Sequence, residues 1–447
     1  MSKNNYYNKN HFYNSLNIKP INQKDNDQLC VSINKLFQNS SVSSFNSIFY
    51  KFSIYNLDDV ELNHTYKLLK LLSKKKRVHT NGYIYKAILK SSKNNRKLYS
   101  NIFIKECPLW EPTRIELSHN KITLNPYHDF LVSYQKHSFH SSSNVELFVS
   151  YITSKIVEQQ LCPHFPMFYG FKYVILDKFT SDISIDEYEL LVKKTEMGLN
   201  NEFIKIRQTN DNLFMERQNF PCNLLFSEKL ELLDFNTFNT CDKWLSCIFQ
   251  IIFSIGMLQH LFKLCHNDLH TSNIMFKPTK LEYLYYQIQN KYFALPTFGK
   301  IIKIIDWGRC TYDFNGFTTN NNIFFTDGNA FGHYIYPRIN QSGKPSQNAY
   351  NDSGDLVIFG MSIFNEPNFA KIGVLYDFVK SWFIDKSGKF RMMDSSSFEF
   401  YQSLYLFDNA NPFKQIQHEI WDRYEIPKSK IDELPPETII YKLMDFD

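Results

Sequence analysis

Apolar residues recur at three- and four-residue spacing through Trp244, Ile248, Ile251, Ile255, Leu258 and Phe262, the pattern of a helix with one face in a core. Ser246, Gln250, Ser254, Gln259 and His260 interrupt the run. It therefore falls short of the roughly 18 uninterrupted apolar residues of a membrane span and is read as a core helix. A second helical pattern covers about 144 to 160, with Asn144 as N-cap and Leu147, Tyr151, Ile152 and Ile156 as its apolar stripe. A third helix is expected from Asp58 to Lys76, closed by the basic run Lys74 to Arg77 at the negative end of its dipole. Strands are expected at Gly82 to Ala87 (G-Y-I-Y-K-A), in the run N-I-F-I-K-E that reaches Lys105, after the aromatic, proline-punctuated segment from Pro163, and in N-L-L-F-S-E-K-L from Asn223. A polar stretch from about Thr180 to Gln218 is expected to separate the last two.

Two short segments carry chemistry. From His266 to Asn273 the chain reads H-N-D-L-H-T-S-N, and from Ile304 it reads I-I-D-W-G-R. The first resembles the H-R-D-x-x-x-x-N catalytic loop of kinases, which implies that Asp268 accepts the proton of the attacking hydroxyl and Asn273 holds magnesium. The second resembles the D-F-G element, which implies that Asp306 holds the magnesium bridging the nucleotide phosphates. An Asp at the end of an apolar strand is otherwise often a turn or a helix cap. Phosphoryl transfer needs an acceptor-orienting carboxylate and oxygen ligands for a hard cation, and the two motifs supply both in the right order.

Upstream, G-Y-I-Y-K-A from Gly82 resembles the end of the kinase glycine-rich loop, where a missing side chain lets backbone N–H groups approach phosphate. Arg77 and His79 stand at the positions of the two earlier glycines, so a looser nucleotide cradle is expected. Lys105 resembles the lysine of the V-A-I-K strand that positions the α- and β-phosphates. Its helix partner is Glu146 or Glu158; Glu146 is preferred because Phe148 and Val149 begin the buried face, and an ordinary exposed carboxylate is the plain alternative for either. Glu228 and Leu230 would present hinge backbone to adenine, with Ser227 bounding the back of that pocket. Asp355 and Gly360 in D-L-V-I-F-G resemble the D-V-W-S-x-G helix, whose Asp braces the catalytic loop, although a helix N-terminal Asp also fits its own dipole.

Over about residues 78 to 380 the chain resembles the serine/threonine protein kinases of giant DNA viruses and, more distantly, haspin. The specific signs are D-L-H at Asp268 to His270, the long tyrosine-rich insert between Asn273 and Asp306, and F-F-T-D-G-N-A-F-G-H-Y from Phe324. The resemblance implies an α+β, two-lobed protein-kinase-like fold with a small β-rich lobe (78–230) and a larger, mainly helical lobe (231–409). Outside it, residues 1–27 are expected to be disordered, 28–77 to form a helical extension, and 410–447 to pack as a tail over the large lobe. ATP and Mg²⁺ are the implied cofactors and a protein Ser/Thr hydroxyl the implied acceptor. The expected form is a monomer acting in a host cytoplasm or packaged in a virion, with no nucleic-acid or membrane partner.

Composition adds exclusions. A net charge of +5 offers no broad polyanion-binding surface, and the eight cysteines form no C-x-x-C pair, so they are read as reduced thiols. The N-terminus has no charged-then-apolar signal pattern. Two other function classes stay open. D-L-H and Asp306-Trp307 also occur in kinases of aminoglycosides and choline, and the degenerate glycine loop is compatible with a pseudokinase used for binding.

Three departures matter. Asn267 replaces the Arg of H-R-D, so switching by activation-loop phosphorylation is not expected. No A-P-E triplet closes the activation segment. His270 stands where a Lys would touch the transferring phosphate, and a neutral imidazole does this less well than an ammonium. Slow turnover, or a rate that varies with pH near neutrality, is the expected outcome; a His270→Ala variant with the parent's rate and pH profile would refute it.

Overall fold

Strands between residues 41 and 228 build one antiparallel seven-stranded sheet. The computed structural model describes residues 18–20, 22–36, 41–43, 60–62, 64–79, 82–109, 139–183, 185, 188–189, 204–209, 212–314, 317–319, 321–324, 330, 351–364, 366–391 and 398–444. The chain is mixed α+β and divides into two compact units, Leu16–Tyr151 with Met167–Lys229, and Ile152–Pro166 with Leu230–Asp447.

The first unit runs through β1 (Ile18–Pro20), α1 (Gln23–Leu36), β2 (Ser41–Ser43), β3 (Val60–Leu62), β4 (Tyr66–His79), β5 (Gly82–Ser91), β6 (Lys97–Pro108), the start of α2 (Ser142–Glu158), β7 (Phe168–Ile183), β8 (Ile204–Thr209) and β9 (Asn212–Glu228). Its sheet has the order β2-β7-β9-β6-β5-β4, with β8 also paired to β9. Leu29 and Ile33 of α1 are buried with Leu68, Leu71, Leu89, Ile102 and Val174 in one apolar cluster. Polar contacts fix the same helix. Ser32 Oγ accepts the Leu71 N–H at 3.0 Å, and Asp25 pairs with Lys67 at 3.0 Å and Lys90 at 2.7 Å. Burial pushes the Asp25 carboxyl up, but the hydrogen bonds and charges of the two lysines outweigh it and hold the group below its ordinary range.

Three expectations are corrected here. The segment expected to be disordered through residue 27 is helical from Gln23, because Leu29 and Ile33 anchor that helix in the sheet core; residues 1–17 lie outside the described residues. The helix expected from Asp58 to Lys76, and with it a helical 28–77, is replaced after α1 by strands: β3 pairs with β1, and β4 pairs with β5. The register of β4 on β5 shifts between Leu68 and Lys70 and between Leu71 and Ser73. Each extra residue offsets the two-residue alternation by one, so Leu68, Leu69 and Leu71 all become buried and a bulged strand imitates helical spacing. Nor do the described residues between Thr180 and Gln218 form a simple polar connection. β7 and β9 pair from Phe168↔Ser227 out to Ile183↔Leu213, with Phe179 stacked on Phe220 at 4.9 Å and Lys178 paired with Glu216 at 2.5 Å.

The second unit contains the end of α2, then β10 (Glu231–Leu232), α3 (Cys241–Phe262), β11 (Ile274–Pro278), β12 (Tyr283–Ile288), β13 (Lys291–Pro296), β14 (Lys300–Ile304), β15 (Asp313–Phe314), β16 (Phe317–Thr318), α4 (Gly354–Phe364), α5 (Gly373–Lys380), α6 (Phe398–Ser403), α7 (Pro412–Gln415), β17 (Glu425–Ile426), α8 (Lys428–Asp432) and β18 (Ile440–Leu443). By length and composition α3 could cross a membrane, but 94% of its most apolar window is buried inside the protein. Its polar residues have internal work. Ser246 Oγ donates to Pro296 O at 2.6 Å, Gln250 Oε1 accepts the Ile302 N–H at 2.9 Å, and Gln259 Nε2 donates to Asp352 O at 2.8 Å. Trp244 is enclosed by Phe235, Phe238 and Phe369, and its indole N–H reaches Phe238 O at 2.8 Å.

The region read as a mainly helical lobe also holds a three-stranded sheet, β10-β11-β14, and a four-stranded one, β17-β13-β12-β18. Two strands from the residues after 410, β17 and β18, are part of the latter, so this segment is more than a tail laid over it. β18 runs parallel to β12, β17 pairs with β13, and Leu443 approaches Gly256 of α3 so closely that a Cβ there would lie 3.1 Å from it. Trp421 stands edge-on to Phe249 at 5.2 Å. Burial drives the His164 imidazole down to about 3, so it is neutral, with Nδ1 donating to Ile302 O at 3.0 Å and Nε2 accepting from the Tyr286 hydroxyl at 2.8 Å.

If α1 belongs to the sheet core, Ile33→Ala should cost about 2–5 kcal/mol in urea unfolding, whereas Val31→Ala, on the 68% exposed face, should change little. Equal effects would remove α1 from the core.

Candidate active site

The segment from His266 to Asn273 is held from below by one carboxylate. Asp355, in the first turn of α4, accepts the His266 N–H on Oδ2 and the Asn267 N–H on Oδ1, both at 2.8 Å. All three residues are buried. Two N–H groups without a partner there would each cost about 1–3 kcal/mol. Gly360, one and a half turns along α4, lets Trp382 and Phe383 pack against the helix backbone: a Cβ would lie 3.1 Å from each. Asn267 has φ +63°, a left-handed backbone that Asn tolerates better than most residues. Its side chain donates to Arg309 O at 2.9 Å and Thr311 Oγ1 at 3.2 Å.

Strand register brings Asn273 and Asp306 to one place. β11 and β14 pair antiparallel with Ile274 opposite Ile304, and the Ile305 N–H continues the ladder to Asn273 O at 3.1 Å. The residue just before β11 and the residues just after β14 therefore share one end of the pair, although the whole β12–β13 hairpin separates them in sequence. Asp306 has φ +70°; a non-glycine residue in this region costs of order 1–3 kcal/mol, so the surrounding structure must impose it. Asn273 Nδ2 donates to Asp268 O at 2.8 Å and contacts His270 Nε2 at 3.3 Å. With its amide nitrogen so engaged, Oδ1 is the end available to a cation.

Asp268 lies at the rim of this group. Arg309 Nη1 is 3.2 Å from Oδ1, and His270 Nε2 is 3.7 Å from Oδ2. Burial pushes the Asp268 carboxyl up, but the His270 hydrogen bond and the positive charge of Arg309 outweigh it and hold the group below the ordinary carboxylate range. Asp268 is thus an ionised acceptor at neutral pH. The Tyr401 phenol of α6 is pushed up by burial and then by the Asp268 charge.

A second set of residues lies in the first unit. Gly82 and Lys105 sit directly opposite each other on β5 and β6. Lys105 Nζ is 3.0 Å from Glu146 Oε1, so of the two carboxylates considered Glu146 is the one brought to the lysine; Glu158 instead meets Lys155 at 2.6 Å. The helix carrying Glu146 begins at Ser142, earlier than expected, and Asn144 is not its cap. Asn144 is buried and accepts a hydrogen bond from Asn223 of β9, which also reaches Ser143 Oγ at 2.9 Å. Ser143 in turn donates to Cys107 O at 3.3 Å. These polar contacts pin the first turn of α2 to the sheet and set where Glu146 projects. Glu228 closes β9, with its N–H on Met167 O at 2.8 Å and its carboxylate accepting the Met167 N–H at 3.3 Å. Leu230 is buried and lies beyond the division between the units, just before β10.

Arg309, Asn321 and Asn223 are the participants the sequence reading missed. Arg309 had a signal, being the next charged residue after Asp306 in the motif; an isolated Asn such as 223 or 321 has none. The segment quoted from Phe324 lies, beyond Phe324 itself and Ala330, outside the described residues. The side chains of Lys74 to Arg77 lie outside them as well. All eight cysteines are free thiols. No known family model matches the chain, and no curated protein matches it.

Replacing Asp355 by Ala should strand two buried N–H groups and lower unfolding stability by about 2–5 kcal/mol, read by denaturant titration. A loss below about 1 kcal/mol would show that the loop is held by other contacts.

Proposed function

We propose that this chain is a magnesium-dependent protein kinase that moves the γ-phosphate of ATP to Ser or Thr hydroxyls, with its two units corresponding to the small and large lobes of a protein-kinase-like fold. The observation that carries this reading is the convergence of Asp268, Asn273 and Asp306 at one end of the β11–β14 pair, braced by Asp355. The Lys105–Glu146 ion pair beside Gly82 adds to it.

Magnesium usually takes one or two carboxylates and completes its shell with water and substrate phosphates. An Asn amide oxygen and an Asp carboxylate match that demand. Among the described residues no cluster of three or more His, Cys, Asp or Glu side chains could form a fuller cage. Bound magnesium would supply charge compensation for the phosphates. Asp268 would orient the acceptor hydroxyl and take its proton as the oxygen forms the new P–O bond. The bond from the γ-phosphorus to the β–γ bridging oxygen breaks, and its electron pair leaves with ADP. Lys105, oriented by Glu146, would engage the α- and β-phosphates, and the backbones of Glu228 and Leu230 would face adenine.

The Asp355 brace and the G-Y-I-Y-K-A strand favour a protein acceptor over a small molecule. With γ-labelled ATP, magnesium and a mixed protein acceptor, acid-stable label should appear on protein and fall by about 10²–10⁴-fold in Asp268→Asn. Label found only on aminoglycosides or choline would transfer the reading to small-molecule kinases, and ATP binding without any transfer would leave a pseudokinase.

A further inference from the structure

The turn after Asp306 is fixed with unusual redundancy for so short a segment. Two buried side-chain amides hold three consecutive carbonyls: Asn321 Nδ2 donates to Gly308 O at 2.6 Å and to Cys310 O at 3.1 Å, and Asn267 Nδ2 donates to Arg309 O at 2.9 Å. The Cys310 N–H closes the turn onto Trp307 O at 3.0 Å. A pair of backbone hydrogen bonds between Cys265 and Thr311, at 2.9 and 3.0 Å, ties its far end to the residue preceding His266. Arg309 is therefore delivered from a rigid base. Its guanidinium lies 3.2 Å from Asp268 Oδ1, and its side chain remains 29% exposed.

This placement meets a demand that the rest of the site leaves open. An acceptor hydroxyl hydrogen-bonded to Asp268 sits roughly 2.6–3.2 Å from a carboxylate oxygen and must approach phosphorus to about 3–3.5 Å before reacting. The transferring phosphoryl oxygens then fall within reach of a guanidinium already beside that carboxylate. At the position two residues after Asp268 the chain has His270, whose Nε2 is turned to Asp268 and Asn273. An imidazole carries charge only when protonated, whereas a guanidinium is charged at every accessible pH and binds phosphate oxygens through two parallel N–H groups.

We propose that Arg309 is a catalytic residue: its guanidinium, positioned by Asn267 and Asn321, binds the transferring phosphoryl group in the position usually served by an ammonium after the catalytic Asp. The assignment rests on the phosphotransferase reading above. Before ATP and acceptor bind, the guanidinium pairs with Asp268; as the acceptor oxygen bonds to phosphorus and the bridging oxygen departs with ADP, it neutralises charge on the phosphoryl oxygens while the acceptor proton passes to Asp268.

The test compares the parent chain with Arg309→Ala and Arg309→Lys, measuring kcat, the KM for ATP, the thermal unfolding midpoint, and the response to added guanidinium ion. Arg309→Ala should lower kcat by roughly 10²–10⁴-fold, within or below the range of arginine fingers. The KM for ATP should move only a few-fold, Arg309→Lys should keep part of the rate, and free guanidinium should restore activity to the Ala variant alone. Rescue also separates chemistry from misfolding, because a structural loss does not respond to guanidinium at an unchanged unfolding midpoint. An Ala variant as fast as the parent, or faster, would overturn the assignment and make the ion pair a restraint on Asp268. A slow Ala variant that free guanidinium cannot rescue would overturn it too. Absence of transfer by the parent chain would instead defeat the kinase reading itself.

Discussion

The pairing of Ile274 with Ile304 is the constraint on which the candidate chemistry depends. It determines that Asn273 and Asp306 emerge at the same end of two strands, and a slip of one residue would turn the flanking side chains to the opposite face. The register is held from outside the pair. Gln250 of α3 accepts the Ile302 N–H, His164 donates to Ile302 O, and Lys303 Nζ donates to Phe165 O at 2.7 Å. Polar groups buried in an otherwise apolar helix are costly unless paired; here they fix the strands that carry the site. Gln250 thereby ties α3 to the strand pair that it supports.

The Asp268 carboxylate is balanced by neighbouring side chains of its own unit. The Asn267 amide binds backbone of the turn after Asp306 directly. A neutral side chain thereby joins the two loops. The positive charge lies on Arg309, whose guanidinium reaches the Asp268 carboxylate.

Much of this was legible in the sequence, and the limits are physical. Residues with fixed offsets, such as Asp268 and Asn273, stand out in the sequence because one loop supplies both. α3 was legible because its 3.6-residue period is long and unbroken by Pro, with the single Gly256 placed where Leu443 packs closely. Lys105 was placed from its strand, and Glu146 was preferred over Glu158 from the start of the buried face at Phe148 and Val149; the ion pair itself is visible only in the contact between helix and sheet. β4 was misread because its bulges break the two-residue alternation into helical spacing. The polar reach of β7 and β9 was misread because one face of that hairpin carries charges, including Lys178 and Glu216, that pair across strands. The contributions of α1 and β18 depend on partners far along the chain, beyond any local window.

That last dependence has a consequence for synthesis. β18 is the parallel neighbour of β12, so Tyr286 waits for Tyr441, and more than a hundred residues must leave the ribosome before that edge is covered. Until then β12 presents unpaired backbone next to a tyrosine-rich face, a template that a neighbouring nascent chain could also extend. The four-stranded sheet of the second unit is therefore completed late, whereas the first unit has its sheet complete as soon as β9 has emerged.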